Sequence, residues 1–228
     1  MQHHKEFCRF ADEYGRYSLI QDRVAKALVK RIDRGYSRIV DLGSGSGAFF
    51  KAYERPFISY LAVDISKQML ALHPSGEGVE KILGDFDDPS LFKRLEGMEF
   101  DLLVSSSALQ WSRDLNLAIE RIASLKRKTA LSIFTSGTFA SLHKVAGTKS
   151  PIRSTEETIE AIKRHLDAKI DILKYRLYFK DTLSMLRYIK RSGVSGGERR
   201  LSYHETKRVL RDYRLSYLEF EIVVSIGK

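Results

Sequence analysis

Along residues 1–136, short dense apolar runs alternate with stretches in which apolar side chains recur every three or four positions. The runs at 38–42, 58–64, 80–83, 100–104 and 129–134 are too short for buried helices and rich in Val, Ile and Leu, so they predict strands covered on both faces. The stretches at 19–32, 48–53, 67–72 and 115–125 predict helices; in the last, Leu115, Ile119 and Ile122 share one face. Such rotation of strand and helix predicts a parallel sheet with right-handed crossover helices, doubly wound. The 84–101 segment is short and is assigned no helix. Past Phe134 the rhythm changes. Helices are expected at 139–145 and 155–166, the second opened by the N-cap run Ser154-Thr155-Glu156-Glu157. A strand is expected at 169–179, a helix at 181–191, a Gly- and Ser-rich loop at 192–197, a helix at 203–213 and a closing strand at 217–226.

No internal repeat or linker interrupts the 228 residues, so one domain is expected. In it, 1–136 form a core, 137–216 are mainly a helical lid with one sheet strand, and 217–228 close the sheet. Hydrophobic residues at 43% and charged residues at 30% place the chain among globular proteins rather than disordered or fibrous ones. No apolar run approaches the roughly 18 residues of a membrane span. The start, Met1-Gln2-His3-His4-Lys5, leads into charge rather than a signal-peptide core, so a cytoplasmic protein without membrane partners is expected. Cys8 has no second cysteine to pair with and reads as a packing residue. The histidines at 3, 4, 73, 143, 165 and 204 lack ligand spacing, so no metal is expected.

Charge sharpens this picture. The formal net charge is +10, and nearly all of it lies in the second half: residues 137–228 carry +8 and residues 1–136 only +2. The excess is densest at 187–214, where nine basic residues face three acids. Such a segment implies an acidic partner: a nucleic acid, an anionic surface or an acidic protein.

The sharpest local signal is Val40-Asp41-Leu42-Gly43-Ser44-Gly45-Ser46-Gly47, a strand running into a glycine loop and then a helix. G-x-G-x-G is neither the dinucleotide fingerprint nor a P-loop, so phosphate cradling is not expected. Asp64 ends the next strand, where a carboxylate can accept both hydroxyls of an adenosine ribose. This layout resembles the class I S-adenosylmethionine-dependent methyltransferases over residues 36–136. The resemblance implies a Rossmann-like methyltransferase fold with a seven-stranded, mostly parallel sheet and a helical lid. It also implies that Asp41, Gly43, Ser44 and Gly45 face the methionine part of the cofactor and that Asp64 holds its ribose. By the same likeness Asp85 and Phe86 flank the adenine, Ile65 and Met69 line it, and Ser105 stands near the methyl.

Three further motifs resemble the malonyl-carrier-protein O-methyltransferases of biotin synthesis, the BioC family. The stretch from Phe7 to Gln21 matches in Phe7, Arg9, Ala11, Tyr14 and Gln21; Ser107-Ala108-Leu109-Gln110-Trp111 resembles L-A-x-Q-W; and Phe179 to Gly193 resembles F-x-D-x-L-x-x-x-R-x-x-K-x-x-G. The likeness implies methylation of the free carboxyl of a malonyl thioester on acyl carrier protein or coenzyme A. Tyr14 and Gln21 would close over the cofactor, and Gln110, Trp111, Arg187 and Lys190 would meet the substrate, with Arg187 as the carboxylate clamp. Arg191, Arg199 and Arg200 would dock the acidic carrier protein. A carboxylate, with its ordinary pKa near 4, is already a nucleophile at neutral pH, so no general base is expected. The chain departs from the family in Ser44, where relatives often carry Cys, and in Leu125-Lys126-Arg127-Lys128, which lacks a Pro-Gly turn. Two rival readings are another carboxyl or small-molecule O-methyltransferase of the same fold, and a nucleic-acid-binding protein with a vestigial cofactor site. Nucleic acid is the less expected partner, because no RNA-binding aromatic motif accompanies the charge.

Overall fold

The structure, a computed structural model, describes residues 18–192 and 201–228. Cys8, Tyr14, Arg199, Arg200 and the N-terminal motif up to residue 17 lie outside the described residues. Strands β1 (Arg38–Leu42), β2 (Ser59–Asp64), β3 (Val79–Leu83), β4 (Leu102–Ser106), β5 (Lys128–Phe134), β6 (Ala168–Tyr178) and β7 (Tyr217–Gly227) form one sheet in the order β3-β2-β1-β4-β5-β7-β6. The strands β1 to β5 pair in parallel, while β7 runs antiparallel to both its neighbours, β5 and β6. All seven fall within two residues of the ranges expected from sequence.

Their apolar density follows from burial on both faces. Ile39, Leu102, Ala130 and Ile222 enter one core, while their neighbours Val40, Leu103, Leu131 and Val223 enter the other. The first core is covered by α1 (Leu19–Val29), through Ile20, Val24 and Leu28, and by α2 (Ala48–Ala52) and α3 (Lys67–Leu72). The second is covered by α4 (Pro89–Glu96), through Leu91, Phe92 and Leu95, and by α5 (Leu115–Ser124), through Leu115, Ile119 and Ile122.

Helix α4 is the element that the sequence reading omits. Asp88 caps it by accepting the Ser90 N–H at 2.8 Å, Pro89 occupies its first turn, and its three buried side chains make one narrow stripe. Residues 137–216 also differ from a single lid. Of their helices α6 (Ala140–Ala146), α7 (Thr155–His165), α8 (Thr182–Ser192) and α9 (Tyr203–Asp212), α7 packs on the second core. The others pack on the first, through Leu142, Met185, Tyr188 and Val209. These buried contacts make them part of the sheet's covering layers.

Strand order reverses between β1 and β4, and a crevice opens at the carboxyl ends of such strands. The glycine loop, the acids after β2 and β3 and the 106–113 segment all emerge there.

Candidate functional site

The cofactor end of the site is built by the turn after β1. The Gly43 and Ser44 N–H groups both donate to the Val63 carbonyl, at 2.8 and 3.0 Å, which ties the loop to β2. Gly43 and Gly45 have φ of +72° and +55°, and a Cβ on Gly43 would stand 2.3 Å from that of Ala108. Only glycine fits the first position on both counts. Asp64, at the tip of β2, accepts the Gly45 and Ser66 N–H groups, each at 2.8 Å. Its carboxylate is held on two sides and keeps acceptor capacity for a hydroxyl. Asp85 accepts the Asp87 N–H at 2.8 Å, and Ile65, Met69 and Phe86 add apolar wall around the two acids.

These residues and the buried Gln21 bound a cavity of about 1000 Å³. That size suits two small ligands side by side, since small-molecule sites run to about 300–1,000 Å³. The rest of its wall is formed by Ser106 to Ala108, by Gln110 to Arg113 and by 151–153. Ser107 holds a φ of +63°, uncommon for a residue with a Cβ, and the Gln110 side-chain amide donates to the Ser107 carbonyl at 2.6 Å. Trp111, half-buried, lines the same wall while packing on the first core, so it serves as both wall and anchor.

Two residues expected at the cofactor lie behind the wall. Asp41 is 1% exposed and accepts the Tyr60 hydroxyl at 2.6 Å. Burial pushes its carboxyl up to about 7, the Asp64 charge acts in the same direction, and the Tyr60 hydrogen bond opposes them. Ser105 is buried, its hydroxyl donating to the Leu42 carbonyl at 2.8 Å; strand alternation turns it into the sheet and leaves Ser106 and Ser107 at the cavity. Arg187 and Lys190 are exposed on α8 and are not on the cavity wall, because the register that buries Met185 and Tyr188 turns their neighbours outward. Arg191 lies in the last turn of α8.

The sequence reading missed Asp87, Ser112, Arg113 and Arg153. Arg113 Nε meets Asp87 Oδ2 at 3.1 Å, and Arg153 Nη2 donates to the Ser112 and Arg113 carbonyls at 3.0 and 2.9 Å. A usable signal was Arg153 just ahead of the α7 cap, where the helix dipole disfavours a cation.

Four buried polar atoms on wall residues, Ser44 Oγ, Ser107 Oγ, Gln110 Oε1 and Ser112 Oγ, have no hydrogen-bond partner among the described residues. Buried polar atoms are normally paired, so this concentration marks a place for a polar ligand. Acids for a ribose and an amino group, apolar wall around them and a glycine-rich loop fit an adenosyl group with an amino-acid tail. Among the described residues no cluster of three or more His, Cys, Asp or Glu is placed to hold a metal ion, and no helix is long and apolar enough to cross a membrane.

Residues 40–134 match the family model described as a methyltransferase domain. The solved S-adenosylmethionine-dependent methyltransferase of Thermotoga maritima shares the fold with a TM-score of 0.60 at 18% identity, covering 99% of this chain and 100% of that one. The fold and crevice are those of the class I methyltransferases, and with the domain match over residues 40–134 they support a methyltransferase enzyme that uses S-adenosylmethionine as cofactor. Within that class, the malonyl-[acyl-carrier protein] O-methyltransferase of Chlorobium luteolum is 29% identical over 211 residues, 84% of this chain and 78% of its own. The enzyme of the same name from Bacillus cytotoxicus is 25% identical, over 92% of this chain and 71% of its own.

Proposed function

We propose that this protein methylates the free carboxyl of a malonyl group carried as a thioester on acyl carrier protein, giving the methyl ester that opens biotin synthesis. The observation that carries the reading is similarity to enzymes of that name across 84% and 92% of this chain, far past the shared cofactor half. The chain acts as one domain in the cytosol.

When bound, S-adenosylmethionine would supply a methyl activated by its sulfonium to a carboxylate oxygen and leave as the neutral thioether, so no proton need change hands. The protein's work is then alignment and exclusion of water. Asp64 holds the ribose hydroxyls, Asp85 the adenine amino group, with Ile65, Met69 and Phe86 against the ring, and Gly43 to Gly45 admit the amino-acid tail. Gln110 and Trp111 wall the acceptor side. Asp41 supports the loop from beneath, Tyr14 and Gln21 close the cofactor entrance, and Arg191, Arg199 and Arg200 belong to the carrier-docking face.

The deciding experiment is complementation of a strain that requires biotin because it cannot make the malonyl methyl ester. Growth without biotin, with ester formed by purified protein from malonyl carrier protein, is the expected result. No growth from a soluble chain that binds the cofactor would reject the reading.

A further inference from the structure

We infer that Arg153 is the specificity-determining residue for the acceptor, its guanidinium receiving the free carboxylate; the inference rests on the proposed function above. Two cations stand on the cavity wall, Arg113 and Arg153. Arg113 is already committed: it pairs with Asp87 at 3.1 Å and its side chain is 77% exposed. Arg153 is half-buried, and no ion pair among the described residues includes it. Its Nη2 is spent on the Ser112 and Arg113 carbonyls, which leaves Nε and Nη1 as donors.

The acid that acts on Arg153 through space, Glu157, has its carboxylate committed to the Ser154 N–H at 2.7 Å and makes no ion pair with the guanidinium, and Arg153 is held firmly in place. The Arg153 carbonyl accepts the Ser136 N–H at 2.8 Å, beyond the end of β5. The next residue, Ser154, closes a reciprocal capping box with Glu157, and the Thr155 hydroxyl donates to Glu221. Its backbone is thus fastened to the sheet and to α7, and its side chain to the 112–113 turn. A cation kept rigid on the wall of a cavity, with donors left over for a ligand, is a preorganised anion receptor. The guanidinium fork suits a carboxylate in two-point contact, and the product methyl ester, having no charge, would be released from it. The exposed Arg187 has no such support.

The test compares malonyl-loaded with acetyl-loaded carrier protein binding to enzyme saturated with S-adenosylhomocysteine, with cofactor affinity measured in parallel. The wild-type protein is expected to prefer the malonyl form by about tenfold or more, the scale of a charged hydrogen-bonded contact, and Arg153→Met to cut that preference to about twofold with cofactor affinity unchanged. A preference that survives in Arg153→Met overturns the assignment. So does a parallel loss of both forms, which would make Arg153 a tether of the loop alone. Should Arg153→Met fail to fold, Arg153→Lys decides, because it keeps the charge and loses the fork: undiminished preference overturns the inference and a reduced one supports it. A wild-type protein with no preference and no ester product would instead sink the proposed function, and the inference with it.

Discussion

Asp41 and Asp64 show how environment divides two identical side chains. Asp64 sits at a strand tip with two backbone N–H groups on its carboxylate, whereas Asp41, buried on the neighbouring strand β1, has one Tyr60 hydroxyl and an Oδ1 with no hydrogen bond among the described residues. The folded chain holds a proton on Asp41 up to about pH 7, while an unfolded chain releases it near 3.9. Between those values folding takes up a proton, so this group's contribution to stability is full below about pH 4 and is lost as the pH rises through about 7, at about 1.4 kcal/mol per unit of separation. Asn mimics the neutral acid at every pH. Asp41→Asn is therefore expected to gain in thermal midpoint over the wild-type protein as the pH goes from 5 to 8, read by calorimetry or fluorescence. A difference that stays flat with pH would remove the buried proton from the account.

At the scale of elements, the strap 151–153 and its helix are the part most open to test. Ser154 caps α7 by accepting the Glu157 N–H at 3.1 Å, and removing such a cap costs about 1 kcal/mol. Ser154→Ala should lower the thermal midpoint by about 2–4 °C in a chain of this size. Because Arg153 precedes the cap, KM for the acceptor should rise severalfold while cofactor affinity stays within about twofold; equal change in both would detach the strap from acceptor binding. The same elements explain what the sequence made legible. The central strands were readable because burial on both faces writes a dense apolar run, the edge strand β6 because its apolar positions alternate, and the cofactor end because strand, glycine loop and acid are local in the chain. Helix α4 escaped because its three buried residues follow an Asp-Pro start in a short segment. The acceptor end escaped because Arg153 meets Ser112 across 41 positions, a contact that no local pattern encodes. Arg187 drew attention through its motif, but the helical register that buries Tyr188 sets it in solvent.

For the whole molecule, the uneven charge connects binding to the cavity. Helix α9 carries exposed Lys207 and Arg208, followed by Arg214, while Arg211 is taken up by Asp212 at 2.8 Å. Arg208 Nη1 donates to the Ala146 carbonyl at 3.3 Å, which joins α9 to the end of α6, and the chain then runs through Lys149 to the strap that bears Arg153. The basic helix α9 is thus joined, through α6 and the segment that carries exposed Lys149, to wall residues 151–153. An acidic carrier protein would feel that helix over a distance set by screening, about 10 Å at 0.1 M salt, whereas a small thioester delivers only its own charge to the wall. The expected result is a kcat/KM for carrier-bound malonyl that falls about tenfold between about 50 and about 300 mM salt, against less than about twofold for a malonyl thioester of a short thiol. Lys207→Glu with Arg214→Glu should lower the first rate and spare the second, since neither residue lies on the cavity wall. Identical salt dependence for both acceptors would show that the charge of the second half serves something other than delivery of the carrier.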